Sequence, residues 1–418
     1  MPPPVVLIGH DPQKYTNGHV SYVIAHALAA SRAGFSPHVF CVGADSTTQS
    51  AEFGTVHRVA TPLWHFMLAP INSRPVATAI AQFLGGCDYP PPYIVHGFGT
   101  FVGIAAAATA KLARQGLPSV LVASAYTAAA PEWRGLLRGL RTDRGVRAAL
   151  FHGAWYPWIR TVVAPLERRG LARSRAVLVN YESVARLLHR SYGEDLEIRR
   201  IPYAAATAFD SRADLGLPPV PDPVAELQPA DAPLIVSVAR HSPTKGLDVL
   251  LRALASLKAD GVRFRASLVG PGRLLDVHRR LARRLGLDGQ VAIPGYVDDV
   301  SAYLRHADVF VLPSLEEGSG SVALLEALQA GRAVVASSCD GIPEDIVDGE
   351  HGLLVPPGDL DAMRGALGRL LADPGLRQAL GASGHRLYLE RFNAERFASA
   401  LGDVYAELGV SAPLQSSS

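Results

Sequence analysis

Apolar residues fall along the chain in two alternating rhythms. Short β-branched runs are nearly unbroken by polar residues: VVLIG, PHVFCVG, PYIVHG, SVLVAS and AVLVN in the first half, then LIVSVAR, RASLVG, VAIPG, VFVLPS, AVVASS and GLLVPP. Strands of that kind are buried on both faces, as in a parallel sheet covered by helices. Between them lie HVSYVIAHALAASRAG, KGLDVLLRALASLKADG and VALLEALQAG, whose apolar positions recur at helical spacing and which end on glycine. The alternation predicts an α/β fold with helical crossovers.

The rhythm lapses in DSRADLGLPPVPDPVAELQPADAP, rich in Pro, Asp and Ala. A chain of 418 residues exceeds what one hydrophobic core usually holds. The lapse is therefore read as a linker, 213–232, between a Rossmann-like domain at 1–212 and a second at 233–390. Residues 391–418 are read as a helix returning to the first domain, and a tail. The competing reading is one large α/β domain with a surface insertion. Ligands of doubly wound sheets bind beyond the carboxyl ends of the strands, so the site is expected in a cleft between the halves.

Composition removes several functions. A formal net charge of +2 provides no global basic field, so nucleic acid is not an expected partner. Cys41, Cys87 and Cys339 stand apart, without the spacing of a zinc site or disulfide framework, which fits a reducing cytoplasm. The opening MPPPVVLIGHDP lacks the parts of a secretory signal, and no apolar run has the length to cross a bilayer. One segment keeps a membrane in view: 133–175 is rich in Arg, Trp and Leu and poor in acids. It reads either as a peripheral contact with the inner face of an anionic membrane or as amphipathic helices with solvated arginines.

Candidate chemistry gathers in the second half. Arg240 and Lys245 stand just past a strand, where two cations suit a diphosphate. LVGPGRL is a strand running into a tight turn. In VAIPGYVDD the backbone at Gly295 and Tyr296 can read the edge of a nucleobase, and Asp298 and Asp299 are expected to cap the next helix. PSLEEGSGSVALLEALQAG sets Glu316 and Glu317 before a small-residue turn, Gly318 to Ser321, and a helix start whose free N–H groups suit phosphate oxygens. Glu326 lies on an otherwise apolar helix face, a costly place for a lone charge. Each stretch by itself also reads as ordinary turn and cap chemistry.

Taken in order, VARHSPTKGLDVLLRAL, LVGPG, VAIPGYVDD, ADVFVLPSLEEGSGSVALLEALQAGRAVVAS, GIPEDIVDGEHGLLVPPGD and RFNAERFASALGDVYAEL resemble the retaining GT-B-fold glycosyltransferases of family four. The resemblance implies two Rossmann-like domains facing a central cleft, and transfer of a sugar from a nucleotide diphosphate sugar to an acceptor hydroxyl. It further implies that Arg240 and Lys245 contact the diphosphate, Gly320 and Ser321 give it amides, Gly295 and Tyr296 hold the base, Glu326 the ribose and Glu317 the sugar. UDP-sugars are the family's commonest donors, and neither metal nor cofactor is expected; the acceptor is a small molecule, lipid or saccharide. One departure stands out: the family separates its two glutamates by seven residues, whereas eight lie between Glu317 and Glu326. Glu316 therefore remains an alternative to Glu317.

In the first half IGHDPQKYTNGHVSYVIAHALAASRAG resembles the family's first strand, glycine loop and helix, with His19 after Gly18 where a second glycine is usual. His19 either contacts the donor or is a solvated helix-start residue. His96, at the end of YIVHG, matches a cleft histidine, and a strand-end histidine of the family is replaced near Ser124. Tyr203 and Ala204 stand where Asn-Gly is usual. The rival readings are a GT-B phosphorylase or epimerase, and a nucleotide-sugar-binding protein without turnover. Ala- and Arg-rich usage is compatible with a bacterial source of high GC content.

Overall fold

The computed structural model describes residues 2–13, 18–61, 72–129, 155–204 and 222–412. The chain divides into two compact units, the first taking in the N-terminal half and the chain from Phe392 onward, the second ending at Arg391.

The first unit is built on β1 Pro4–Ile8, β2 Ser36–Gly43, β3 Thr47–Ala51, β4 Gly54–Ala60, β5 Tyr93–Phe98, β6 Ser119–Ser124, β7 Ala176–Val179 and β8 Ile198–Arg200. Their spatial order is β3-β4-β2-β1-β5-β6-β7-β8, parallel throughout except for the β3–β4 pair. The apolar runs become the interior strands, since β1 and β5 are buried along their whole length. The edge strand β3, TTQSA, is exposed over most of its length and so shows no apolar rhythm. Helix Ala394–Glu407 presents Phe397, Leu401 and Tyr405 from one face, all buried; Tyr405 meets Phe35 edge-on, and Phe397 meets His26 on helix Gly18–Arg32.

Of the Arg-rich segment, residues 155–175 are described and 133–154 lie outside the described residues. Ile159, Val163 and Leu171 are buried and Trp155, Tyr156 and Trp158 half-buried, while Arg160, Arg168, Arg169 and Arg173 are exposed. That is the amphipathic pattern, apolar face inward. Among the described residues no helix is long and apolar enough to cross a membrane.

The second unit carries β9 Leu234–Val238, β10 Arg265–Val269, β11 Val291–Gly295, β12 Val309–Leu312, β13 Ala333–Ser337 and β14 Leu353–Val355, all parallel, in the order β11-β10-β9-β12-β13-β14. Helices Leu247–Ala259 and Leu360–Ala372 bury leucines against it. The expected linker is corrected over 222–232: Val224 and Leu227 are buried, Arg265 donates to Asp222 at 2.9 Å, and Gln228 N donates to Gly289 O at 2.8 Å. Two apolar residues anchored by an ion pair belong to a packed surface. Residues 213–221 lie outside the described residues.

Candidate functional site

Parallel pairing brings the sequence-predicted residues of the second unit to one sheet edge. Val238 pairs with Val269 and Val269 with Gly295, so β9, β10 and β11 end level. The loops leaving them are knitted by backbone bonds: His241 N to Pro271 O at 2.8 Å, Leu274 N to His241 O at 3.0 Å, and Gly270 N to Gly295 O at 2.8 Å. The Gly-Pro-Gly turn has a packing reason here. With φ of +139° and +154°, a β-carbon on Gly270 or Gly272 would lie 2.2 Å from Ala239 O or 2.5 Å from His241 N. Arg240 and Tyr296 emerge from this edge exposed. Behind Arg240 the ring of His241 turns inward to meet His278, Nδ1 to Nδ1 at 2.8 Å, and burial lowers its pKa to about 4.

The next loop, after β12, locks onto the one carrying Lys245. Leu315 N and Glu316 N both donate to Thr244 O, and Gly246 at φ +58° sits so close that a β-carbon would lie 2.1 Å from Pro313 O. Lys245 Nζ then reaches Glu317 Oε2 at 2.6 Å, with the two side chains 16% and 5% exposed. The fully buried Ser314 donates its hydroxyl to Glu317 Oε1. The backbone of Glu317 is held as well: its N–H and that of Gly318 donate to Asp340 Oδ2 at 2.6 and 2.8 Å. Cys339 donates to Ser314 O; burial, with the charges of Asp340 and Glu317 nearby, pushes its thiol up to about 12.

Helix Val322–Gln329 starts directly after this loop. Its N-cap Ser321 is extended and makes no side-chain cap bond, so the helix's positive end is not closed by its own hydroxyl. Gly320 is half-buried, Ser321 is buried, Glu316 is exposed and Glu326 is half-buried between Leu325 and Ala327. In the preceding segment the capping expectation is corrected in part: Asp299, accepting Ser301 N at 2.9 Å, is the N-cap of helix Val300–His306, and Asp298 is exposed outside it. Sequence reasoning missed Ser314, Thr244 and Asp340. Their only local signal is turn chemistry, which thousands of loops share. A separate cleft of about 480 Å³ at the amino ends of β12 and β13 gathers Asp308, Arg332 and His385, but Arg332 donates to Ala330 O and Ala307 O as a structural clamp.

The residues predicted in the first unit are placed differently. His19 is half-buried, its ring centroid 4.6 Å from that of Tyr126 and edge-on to it; Gly18 opens the helix, and 14–17 lie outside the described residues. His96 is fully buried with both nitrogens engaged, Nδ1 to Tyr405 Oη and Nε2 to Ser124 Oγ, each at 2.8 Å. This corrects the expectation that it meets a substrate, because no ring nitrogen is left to offer. Ser124 Oγ also reaches His26 Nε2 at 3.0 Å, and His26 Nδ1 reaches Tyr22 O at 2.8 Å.

A carbonyl can only accept, so the direction of this buried chain is determined. His26 Nδ1–H donates to Tyr22 O, leaving Nε2 to accept from the Ser124 hydroxyl. Ser124 then accepts from His96 Nε2–H, and His96 Nδ1 accepts from the Tyr405 hydroxyl. Both rings must be neutral, and burial lowers His26 to about 4 and His96 well below its ordinary value.

Comparison with known proteins bears on both units. Residues 232–373 match the model of glycosyl transferases group 1, and residues 16–208 that of glycosyltransferase family 4. A D-inositol 3-phosphate glycosyltransferase of Streptomyces bingchenggensis is 33% identical over 67% of this chain and 63% of its own length. A GDP-mannose-dependent alpha-(1-6)-phosphatidylinositol monomannoside mannosyltransferase of Mycolicibacterium smegmatis is 31% identical over 55% of this chain and 69% of its own. The chain spans about half to two thirds of the length of the first curated relatives it matches. Among solved structures, sucrose-phosphate synthase from Thermosynechococcus elongatus superposes with a TM-score of 0.71 at 23% identity, covering 97% of this chain and 99% of that one.

Proposed function

Because the chain belongs to glycosyltransferase family 4 and has the GT-B fold, we propose that it moves a sugar from a nucleotide diphosphate sugar to an acceptor hydroxyl with the anomeric configuration retained. The observation that carries the reading is the Lys245–Glu317 pair, held at the carboxyl ends of β9 and β12 beside an uncapped helix start. Departure of the nucleoside diphosphate builds charge on its phosphates. Arg240, Lys245 and the amides of Gly320 and Ser321 meet that charge without a metal, and Glu326 takes the ribose hydroxyls. Tyr296 and Gly295 border the base.

Two routes to retention differ in what Glu317 does. A double displacement needs a free carboxylate oxygen as nucleophile. Both oxygens of Glu317 are already bonded, to Lys245 and Ser314, which supports a same-face displacement in which the leaving phosphate takes the acceptor's proton. UDP-sugars are the preferred donors; the GDP-mannose dependence printed for the Mycolicibacterium relative makes GDP the alternative base. The acceptor is a saccharide, lipid or polyol hydroxyl.

The test is thermal stabilisation by UDP, GDP, UDP-glucose and GDP-mannose, with magnesium and with chelator, of the native chain and of Glu326→Ala and Lys245→Ala. A ligand at a hundred times its dissociation constant adds roughly 2.7 kcal/mol. Stabilisation of the native chain that both variants lose supports the donor site. Binding without release of nucleoside diphosphate, over a broad acceptor panel, would favour a nucleotide-sugar-binding protein instead.

A further inference from the structure

The cleft at the amino ends of β12 and β13 lies at the opposite end of the sheet from the donor loops, which leave β9 and β12 at their carboxyl ends. Its volume of about 480 Å³ falls within the roughly 300–1,000 Å³ of sites that hold small molecules. One wall is a face of helix Pro374–Arg391, from which Arg377, Gln378, Ala382 and His385 border the opening at helical spacing. The other is the turn from Gln329 to Ala333.

Charge on these walls is unequal. Arg332 and Arg377 share the lining with one acid, Asp308, whose Oδ2 already accepts Leu234 N at 2.7 Å; the nearby Asp373 is turned onto the helix start, accepting Leu376 N at 2.9 Å. Each guanidinium is held by main-chain carbonyls. Arg332 gives Nε to Ala330 O at 2.7 Å and Nη1 to Ala307 O at 2.9 Å and Arg305 O at 3.5 Å, and Arg377 gives Nη1 to Leu370 O at 2.6 Å and Leu371 O at 3.2 Å. Nη2 of Arg332, and Nε and Nη2 of Arg377, have no partner among the described residues. Burial lowers the pKa of Arg332, with Asp308 the charge that opposes the shift, so this cation is short of negative charge. His385 is half-buried on the same wall, its Nδ1 without a hydrogen-bond partner.

We infer that this cleft is a second binding site, for a small phosphate monoester: the two guanidiniums, preorganised by their backbone bonds, take the phosphate oxygens, and the rest of the volume takes an organic part of sugar size. Bonds from guanidinium to phosphate are charge-assisted, about twice as strong as neutral ones. A bare phosphate would leave most of the space to water, whereas the exposed amide of Gln378 and the main chain of the turn suit hydroxyl groups. The site is independent of the nucleotide-sugar reading and holds whether or not that reading does.

Calorimetric titration of the full chain with glucose 6-phosphate, inorganic phosphate and glucose tests the site. Glucose 6-phosphate is expected to bind with a dissociation constant of about 1 mM or below, inorganic phosphate at least about tenfold more weakly, and glucose not at all. Ala382 is exposed on the helical wall, so Ala382→Glu and Ala382→Lys should both melt with the native chain while setting opposite charges at similar bulk. Binding of glucose 6-phosphate should fall about tenfold or more in Ala382→Glu and stay within about twofold, or tighten, in Ala382→Lys. Lys245→Ala, at the donor loops, should bind it as the native chain does. No binding by the native chain, no fall in Ala382→Glu, an equal fall in the two Ala382 variants, or a fall in Lys245→Ala overturns the site. Equal binding of inorganic phosphate and glucose 6-phosphate overturns the monoester as its ligand.

Discussion

Replacing Ser124 by alanine removes a donor and an acceptor at once from the buried chain Tyr405–His96–Ser124–His26–Tyr22. His26 Nε2 loses the hydroxyl that donates to it, and His96 Nε2–H loses its acceptor, in side chains 1% and 0% exposed. An unsatisfied buried polar group costs about 1–3 kcal/mol, so two cost about 2–6 kcal/mol. In a unit of this size each kcal/mol moves the melting temperature by roughly 2–4 °C, which sets a minimum shift of about 4 °C. Tryptophan fluorescence isolates the effect, since Trp155 and Trp158 lie in the first unit and the sequence has no tryptophan in the ranges of the second. Tyr405→Phe strands only His96 Nδ1 and should cost about half as much, and the double variant should fall short of the sum because one chain is broken twice. A shift below about 4 °C in Ser124→Ala would refute the directional chain.

Three further outcomes follow from the same geometry. His26 is held at about 4 against an ordinary 6.5, so its contribution is complete above pH 6.5 and is lost as pH falls toward 4; about 3 kcal/mol is at stake, and equal melting of the first unit at pH 7 and pH 4.5 would contradict it. Lys245→Met leaves the 5%-exposed Glu317 carboxylate without its cation and should destabilise the second unit by about 2 kcal/mol; calorimetric melting should show part of that recovered in Lys245→Met/Glu317→Gln, and strict additivity would deny the pair. Gly246→Ala places a β-carbon 2.1 Å from Pro313 O at φ +58°, and should cost more than about 2 kcal/mol and abolish diphosphate binding; native-like melting and titration would show that the two loops need not touch.

What the amino-acid order determined alone was the framework. Strands such as VVLI and VFVL are apolar on both faces whatever their neighbours, and a parallel sheet is the arrangement that buries both. Helix periodicity and terminal glycines marked the crossovers, and the succession of loop motifs placed Arg240, Lys245, Glu317 and Glu326 in the half of the chain where the structure has them. Strands β3, β4 and β8 escaped: TTQSA and IRR lie at the sheet's two edges, where hydrogen bonding to a neighbour makes the strand, and GTVHRVA, interior in the order, is only partly buried and interrupts its apolar run with His57 and Arg58.

Tertiary structure alone decided what each polar group does. Lys245 meets Glu317 across 72 residues of chain, and His96 meets Tyr405 across 309. No local pattern encodes such pairings, because they depend on which strand ends come level and which helix returns to pack. The same histidine type is a buried relay at His96 and a half-buried aromatic neighbour at His19. For the acids, burial and hydrogen-bond partners separate Glu317, with its two oxygens on Lys245 and Ser314, from Glu316, exposed on the same loop.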